Sequence, residues 1–253
     1  MALRSVAVRG KSEPGSNTID AVVFDLDGVL IDSRPQMELV FRECYRRFVG
    51  SGEPPLDEFF QRMGMPLPQI LRELCLPAEI SNHYRELSHQ LHKQIRAVPG
   101  AHATLRRLHG SGIHVGLVTG KDRKRTMEIL NHLGLHTYLS GIVCGDDPFP
   151  GKPSPDGLVF LANCFAVDPR RLVMIGDSAL DIRCAQAAGA VSIGVTWGFE
   201  SLDRLSTCGA TCCLSYFTEL DAWLFEHSPT LRFETEPTAA VSHAREGRRP
   251  WQL

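Results

Sequence analysis

Short apolar runs alternate along this chain with longer stretches whose apolar residues recur at helical spacing. The first run, Ala21–Phe24, is apolar throughout and leads straight into Asp25, Leu26, Asp27 and Gly28. An uninterrupted run of this kind suits a strand buried on both faces, as in a parallel sheet. Residues 37–48, 67–74 and 83–95 then follow the helical period, broken by turn signals at 50–55 and 76–78. Residues 34–98 contain no good strand, so the block reads as a helical insertion directly behind the first strand. Past Val98, Pro99 and Gly100, the two periods alternate. Helices are predicted over 101–109, 122–133, 154–165 and Ala179–Ala188, and strands over 113–118, 141–144, 172–175 and Val191–Val195. A weaker strand at 210–214 and a helix at 216–225 close the pattern.

Strands joined by single helices imply crossover connections and a parallel sheet. The expected fold is therefore α/β, with a Rossmann-like parallel sheet core interrupted by a helical insertion. The boundaries that follow are a flexible extension at 1–20, a core at 21–33 and 99–227, the insertion at 34–98, and a tail at 228–253. In the tail Pro, Thr, Glu and Arg dominate without periodicity, the composition of a disordered segment. A chain of 253 residues can bury a sizeable core.

Composition narrows the partners. A net charge of −2 with balanced acids and bases argues against nucleic acid or an anionic membrane surface. No segment approaches the ~18 to 20 consecutive apolar residues of a membrane span, and the N-terminus lacks the apolar core of a secretory signal. The eight cysteines fall mostly in apolar stretches, as reduced, packed thiols of a cytoplasmic protein do. Cys208, Cys212 and Cys213 have no second CxxC or paired histidine, so they read as core rather than metal ligands. His89 and His92 stand three apart on a predicted helix, without a third ligand nearby in sequence, and read as a solvated face. No heptad sets an oligomeric state; a monomer or small homo-oligomer is expected.

Four predicted strand ends carry polar groups to one sheet edge, where open α/β sheets bind their ligands. They are Asp25 with Asp27, Thr119 with Gly120, Lys152 in GKPSPD, and Asp177 with Asp181 in GDSALD. Each has a plain reading too. Asp25 and Asp27 can punctuate a strand end, Thr119 and Asp177 with Ser178 can cap helices, and Lys152 can be an exposed turn lysine.

Taken together and in this order, FDLDG, the Thr motif, the KPxP lysine and GDxxxD resemble the haloacid dehalogenase superfamily of phosphatases, over residue 21 to about residue 225. The resemblance implies Asp25 as nucleophile, forming an aspartyl-phosphate, and Asp27 as general acid and base. It implies Mg2+ held by Asp25, the backbone carbonyl of Asp27 and Asp177, with Asp181 in a supporting role through water or Lys152. Such an ion offsets the repulsion between an anionic nucleophile and a phosphoryl group. Thr119, Gly120 and Lys152 would hold phosphate oxygens. Lys121 either reaches the substrate as well or is a surface lysine.

The inserted helices match the helical cap of one large subgroup, which closes over the site and selects the substrate. Within it FFQRMGMPLPQIL resembles the GxPL segment of phosphoglycolate-phosphatase-like enzymes, which makes Arg62 and Gly64 candidate specificity contacts. GEPPLDEFF, with TGK after the second motif, is also similar to phosphatases associated with 3-amino-5-hydroxybenzoate biosynthesis. The expected function is hydrolysis of a phosphomonoester of a small metabolite. A β-phosphoglucomutase-type mutase is the first alternative, but the position where those enzymes carry a cap histidine is Met37. Dehalogenases proper lack the second aspartate, so Asp27 favours phosphoester chemistry. A non-enzymatic binding protein on the same scaffold is the second alternative, and would be favoured had Asp25, Asp27, Lys152 or Asp177 been lost.

Overall fold

A computed structural model describes residues 18–228. In chain order the elements are β1 (Ala21–Phe24), β2 (Ile31–Asp32), α1 (Arg34–Phe48), α2 (Leu56–Phe60), α3 (Leu67–Glu73), α4 (Ile80–Leu91), β3 (Arg96–Ala97), α5 (Ala101–Gly110), β4 (His114–Val118), α6 (Arg123–His132), β5 (Gly141–Val143), α7 (Asp156–Phe165), β6 (Leu172–Gly176), α8 (Ala179–Ala188), β7 (Val191–Val195), α9 (Leu202–Thr207), β8 (Cys212–Leu214) and α10 (Phe217–His227). The six long-range strands form one sheet in the order β5-β4-β1-β6-β7-β8, with every neighbouring pair parallel. β1 is central. Phe24 lies level with Leu117 of β4 and Ile175 of β6, so the loops after these three strands leave the sheet along one edge.

Side chains alternate across a strand, and β1 divides accordingly. Val22 and Phe24 pack in one apolar layer with Leu105 of α5, Ile129 of α6 and Leu220 of α10. Ala21 and Val23 face the opposite layer, with Leu158 and Leu161 of α7 and Ala185 of α8. Burial on both faces explains why these strands are apolar throughout. A third cluster belongs to α1–α4, with Val40, Phe41, Phe59, Leu71, Ile80 and Tyr84 at its centre.

The helical block leaves and rejoins the sheet at one place. Ile31 pairs with Ala97 and Asp32 with Arg96 in a two-residue antiparallel ribbon, so the two connections run side by side. No local pattern marks a strand here, because two residues become a strand only through pairing across the block. Two short helices were also unanticipated. α2 occupies part of the stretch between the predicted helices, and α9 starts where the Ser201 side chain accepts from the Arg204 amide.

Ile19 and Asp20, expected in a flexible lead-in, are held in place. Ile19 is buried, its amide donates to the His227 carbonyl, and Asp20 pairs with Arg171 at 2.7 Å. The rest of that lead-in, residues 1–17, and the tail at 229–253 lie outside the described residues. All eight cysteines are free thiols, and Cys75 and Cys164 are exposed rather than packed. No helix among the described residues is long and apolar enough to cross a membrane.

Candidate active site

The turn after β1 fixes the first pair of carboxylates. The Leu26 carbonyl faces the amides of Val29, Leu30 and Ile31 at 3.3, 3.0 and 3.1 Å, folding the chain back on itself. Gly28 sits in this turn with φ +79, and a Cβ there would collide with Asp177 Oδ2 and the Phe199 ring. Only glycine fits both the conformation and the space. Asp25 and Asp27 are thereby held, buried, at the sheet edge.

β6 delivers the second pair. Asp177 follows the strand and Ser178 caps α8, its hydroxyl accepting from the Asp181 amide while the Asp181 side chain returns to the Ser178 amide. Asp181 is fully buried. Its Oδ2 accepts from Ser178 Oγ at 2.6 Å, and its Oδ1 from Lys152 Nζ at 2.5 Å. The loop after β7 closes over Asp177. The Phe199 amide donates to Asp177 Oδ2 at 2.6 Å, and a Cβ on Gly198 would strike the same carboxylate.

Lys152 lies between two carboxylates, with Nζ 2.9 Å from Asp25 Oδ1 as well as bonded to Asp181. Burial works against its charge, but Asp181 and Asp25 outweigh burial and raise its pKa. Lys121 is buried too, and is no surface lysine. Its Nζ stands 3.1 Å from Asp27 Oδ2, and burial lowers its pKa against the pull of Asp27. Thr119, also buried, accepts the Lys121 amide on Oγ1 at 3.2 Å.

One oxygen from each of Asp25, Asp177 and Asp181 lies within 4.8 Å of the others. Burial first, then the charges of Asp181 and Asp27, push Asp25 up to about 7 despite Lys152. Burial and the neighbouring Asp25 and Asp181 carry Asp177 well above the usual carboxylate range. Four buried carboxylates face two buried ammonium groups, and Asp27 Oδ1 has no hydrogen-bond partner. A hard, all-oxygen donor set with surplus negative charge fits a divalent cation such as Mg2+.

A cavity of about 30 Å3 opens onto Asp25, Asp27, Thr119, Gly120 and Lys121. The helical block roofs it with Met37, Phe59, Met63, Gly64 and Tyr84. Gly64 is therefore over the site, its carbonyl so close to Gly120 that a Cβ on Gly120 would collide with it. Arg62 is not. It binds Glu73 at 3.2 Å and the Glu58 carbonyl at 2.7 Å, away from the cavity, so its expected role in specificity is corrected to holding the block together. Arg62 lies in the turn after α2, where no local pattern in the sequence says which neighbour it meets.

Two cavity residues escaped the sequence reading. Arg125 of α6 is buried, its Nε 2.7 Å from Asp122, with its guanidinium 5.6 Å from the Tyr84 ring centroid. Asp122 caps α6 and also receives Arg85 of α4 at 3.3 Å. Burial opposes its ionisation, yet Arg125 and Arg85 prevail and hold its pKa low. No motif marks Arg125 or Tyr84, which meet only because α4 packs on α6.

This arrangement is that of a phosphoryl-group hydrolase on an open parallel sheet, and comparison with known proteins agrees. The model of the haloacid dehalogenase-like hydrolase family matches residues 22–195, and the chain belongs to that family. It is 30% identical to the phosphoglycolate phosphatase of Yersinia pestis over 214 residues, covering 80% of this chain and 91% of the relative. Identity to the phosphoglycolate phosphatase of Neisseria meningitidis serogroup A is 32%, over 76% and 87% of the two chains. Among solved structures, a predicted phosphatase from Clostridium acetobutylicum superposes with a TM-score of 0.74 at 25% identity, over 83% and 99%. The chain is a phosphatase of this family, hydrolysing phosphoric monoesters.

Proposed function

We propose that the protein hydrolyses the phosphomonoester of a small metabolite, in the manner of a phosphoglycolate phosphatase, through a phosphorylated Asp25. The observation that carries this is the setting of Asp25. Its carboxylate is buried at the cavity floor, 2.9 Å from Lys152 and beside Asp177. Asp25, Asp177 and the Asp27 backbone, supported by Asp181, would hold Mg2+, which supplies positive charge against phosphate oxygens.

The chain's own groups divide the remaining work. Thr119 Oγ1, the Gly120 amide and Lys152 bind and orient the phosphate at a sheet edge, and Lys152 also fixes the Asp25 carboxylate. Asp25 attacks phosphorus, and Asp27 gives a proton to the departing oxygen. Water then cleaves the acyl phosphate, with Asp27 taking its proton back. Residues 34–98 act as the cap. A 30 Å3 cavity holds roughly two water molecules, so a phosphorylated metabolite enters only when the cap lifts. Closed, it surrounds the leaving group with Met37, Phe59 and Met63, leaving Arg125 and Tyr84 as polar contacts.

Met37 lines the cavity where a mutase would carry its histidine, which favours phosphate release over isomerisation. The test is a screen of phosphoglycolate, sugar phosphates and aminoshikimate-type phosphates for inorganic phosphate with Mg2+. Release should require the metal and vanish in Asp25→Asn. Isomerised sugar phosphate without phosphate release, or turnover that survives complete metal removal, would overturn the reading.

A further inference from the structure

A second group of ligand-type side chains lies on the seam between the helical block and the sheet, separate from the carboxylate cluster. α4 ends at Leu91 and runs on as one 3-10 turn over His92–Gln94, and α6 packs against it. His89 and His92 come from the block, Glu128 and His132 from α6. One ligand atom from each of His89, His92 and Glu128 lies within 4.8 Å of the others. The third ligand that the local sequence lacks is supplied by a helix some forty residues further on.

The detail of these groups suits metal binding. His92 Nδ1 is 2.5 Å from the His89 carbonyl. A carbonyl only accepts, so Nδ1 carries the proton and Nε2 keeps its lone pair. Metal-bound histidines are commonly held by this kind of backbone bond at the opposite ring nitrogen. Glu128 Oε2 lies 2.9 Å from His89 Nδ1, yet this buried oxygen is satisfied by no hydrogen bond. The His89 and His92 rings stack at 5.7 Å, and His132, one turn beyond Glu128, meets His92 edge-on at 5.8 Å. His89 is exposed, so an ion can enter from solvent.

We propose that His89, His92 and Glu128 form a binding site for a divalent transition-metal ion such as Zn2+, with His132 or water completing four-coordination. Two imidazoles and a carboxylate suit Zn2+ and are unsuited to Mg2+, which prefers oxygen ligands. Because the ligands come from both sides of the seam, the bound ion ties α4 to α6. With substrate entry requiring the cap to lift, occupancy slows turnover. This consequence rests on the cap reading above; the metal site does not.

The experiment is calorimetric titration of Zn2+ into the full chain, in buffer with excess Mg2+ to occupy the carboxylate cluster. A parallel Co2+ titration is followed by absorption, because thiolate ligation by any of the eight cysteines gives charge-transfer bands that histidine and carboxylate do not. The expected result is one Zn2+ per chain and Co2+ d–d bands without thiolate charge transfer. Affinity should fall about tenfold or more in His92→Ala and in Glu128→Gln, but not in Asp25→Asn. Both seam variants should keep Mg2+-dependent phosphate release in the absence of zinc, which reports that they are folded. Added Zn2+ should slow the wild type and spare them. No binding, binding unchanged in both seam variants, or a thiolate spectrum would overturn the site. Site-specific binding with no effect on phosphate release would overturn the tie between cap and core.

Discussion

Lys121 turns its ammonium onto Asp27, with Nζ 3.1 Å from Oδ2 and both side chains buried. The pair joins the loop after β4 to the loop after β1, and it explains why a lysine stands directly behind the Thr-Gly motif. An acid that gives up a proton and recovers it needs a fixed position and a counter-charge that stays with it. On the proposed mechanism, Lys121 positions Asp27 rather than touching the phosphate. Lys121→Met should lower kcat for an alkyl phosphate by about tenfold to a hundredfold, a part of what general acid–base catalysis supplies. Loss on p-nitrophenyl phosphate should be much smaller, because that leaving group departs without a proton. Lys121→Arg should recover most of the activity. Equal losses on both substrates would show that Lys121 serves the phosphate instead.

Lys152 has a different task, since it separates Asp25 from Asp181 and bonds to Asp181. Removing one partner of a buried ion pair strands the others without compensation, at a cost of about 3–5 kcal/mol. Lys152→Ala should show that loss in urea unfolding without metal. Adding Asp181→Asn to it should recover part of the stability, because one of the stranded carboxylates is then neutral. The double variant is expected to be more stable than Lys152→Ala alone. Simple additivity of the two single losses would mean that the triad is not coupled.

Gly120 is where the helical block and the sheet meet backbone to backbone, against the carbonyls of Gly64 and Met65. Gly64 holds φ +96 and stands close to Ser178 and Lys152. Gly120→Ala forces the two units apart, and overpacking of this kind costs about 1–3 kcal/mol. On the proposed cap reading, in which the block lifts, the cost falls on the closed state rather than on folding. A drop in kcat/KM of about tenfold, with a nearly unchanged unfolding midpoint, is the expected outcome. A large fall in the midpoint would place the contact in the folding core instead.

How far these features could be read from the sequence depends on how local their causes are. β1, β4 and β6 are apolar because both faces are covered, and α8 announces itself through Ser178, Asp181 and Gly189. Asp25, Thr119 and Asp177 directly follow strands of a parallel sheet, which places them on one edge, while Lys152 reaches them from the long loop between β5 and α7. What stayed hidden is non-local. Arg96–Ala97 is a strand only through Ile31–Asp32, and Lys121 is buried only because Asp27 faces it. Arg62 stands near Gly64 in sequence, yet it turns to Glu73 while the glycine reaches the cavity. His89 is exposed, as a solvated face requires, but the Glu128 it meets belongs to another helix and has no local signal in sequence.

The carboxylate cluster also sets a dependence of stability on pH and metal. Asp25 rises from an ordinary value of 3.8 to about 7 in the folded chain without metal, and Asp177 shifts the same way. An acid with a raised folded pKa binds its proton more tightly when folded than when unfolded. As pH climbs from about 4 to about 7, the unfolded chain ionises first and the folded state loses stability. For Asp25 alone the shift corresponds to a loss on the order of 4 kcal/mol by the upper end of that window. Lys152, with its pKa raised, stays charged throughout and adds no slope. Thermal unfolding in a chelator should therefore give a lower midpoint at pH 8 than at pH 5, and Asp25→Asn should flatten the difference. Mg2+ held by this cluster as proposed would compete with these protons, so it should raise the wild-type midpoint strongly at pH 8 and little at pH 5. A stabilisation by Mg2+ equal at both pH values, or equally large in Asp25→Asn, would remove this cluster as the metal's site.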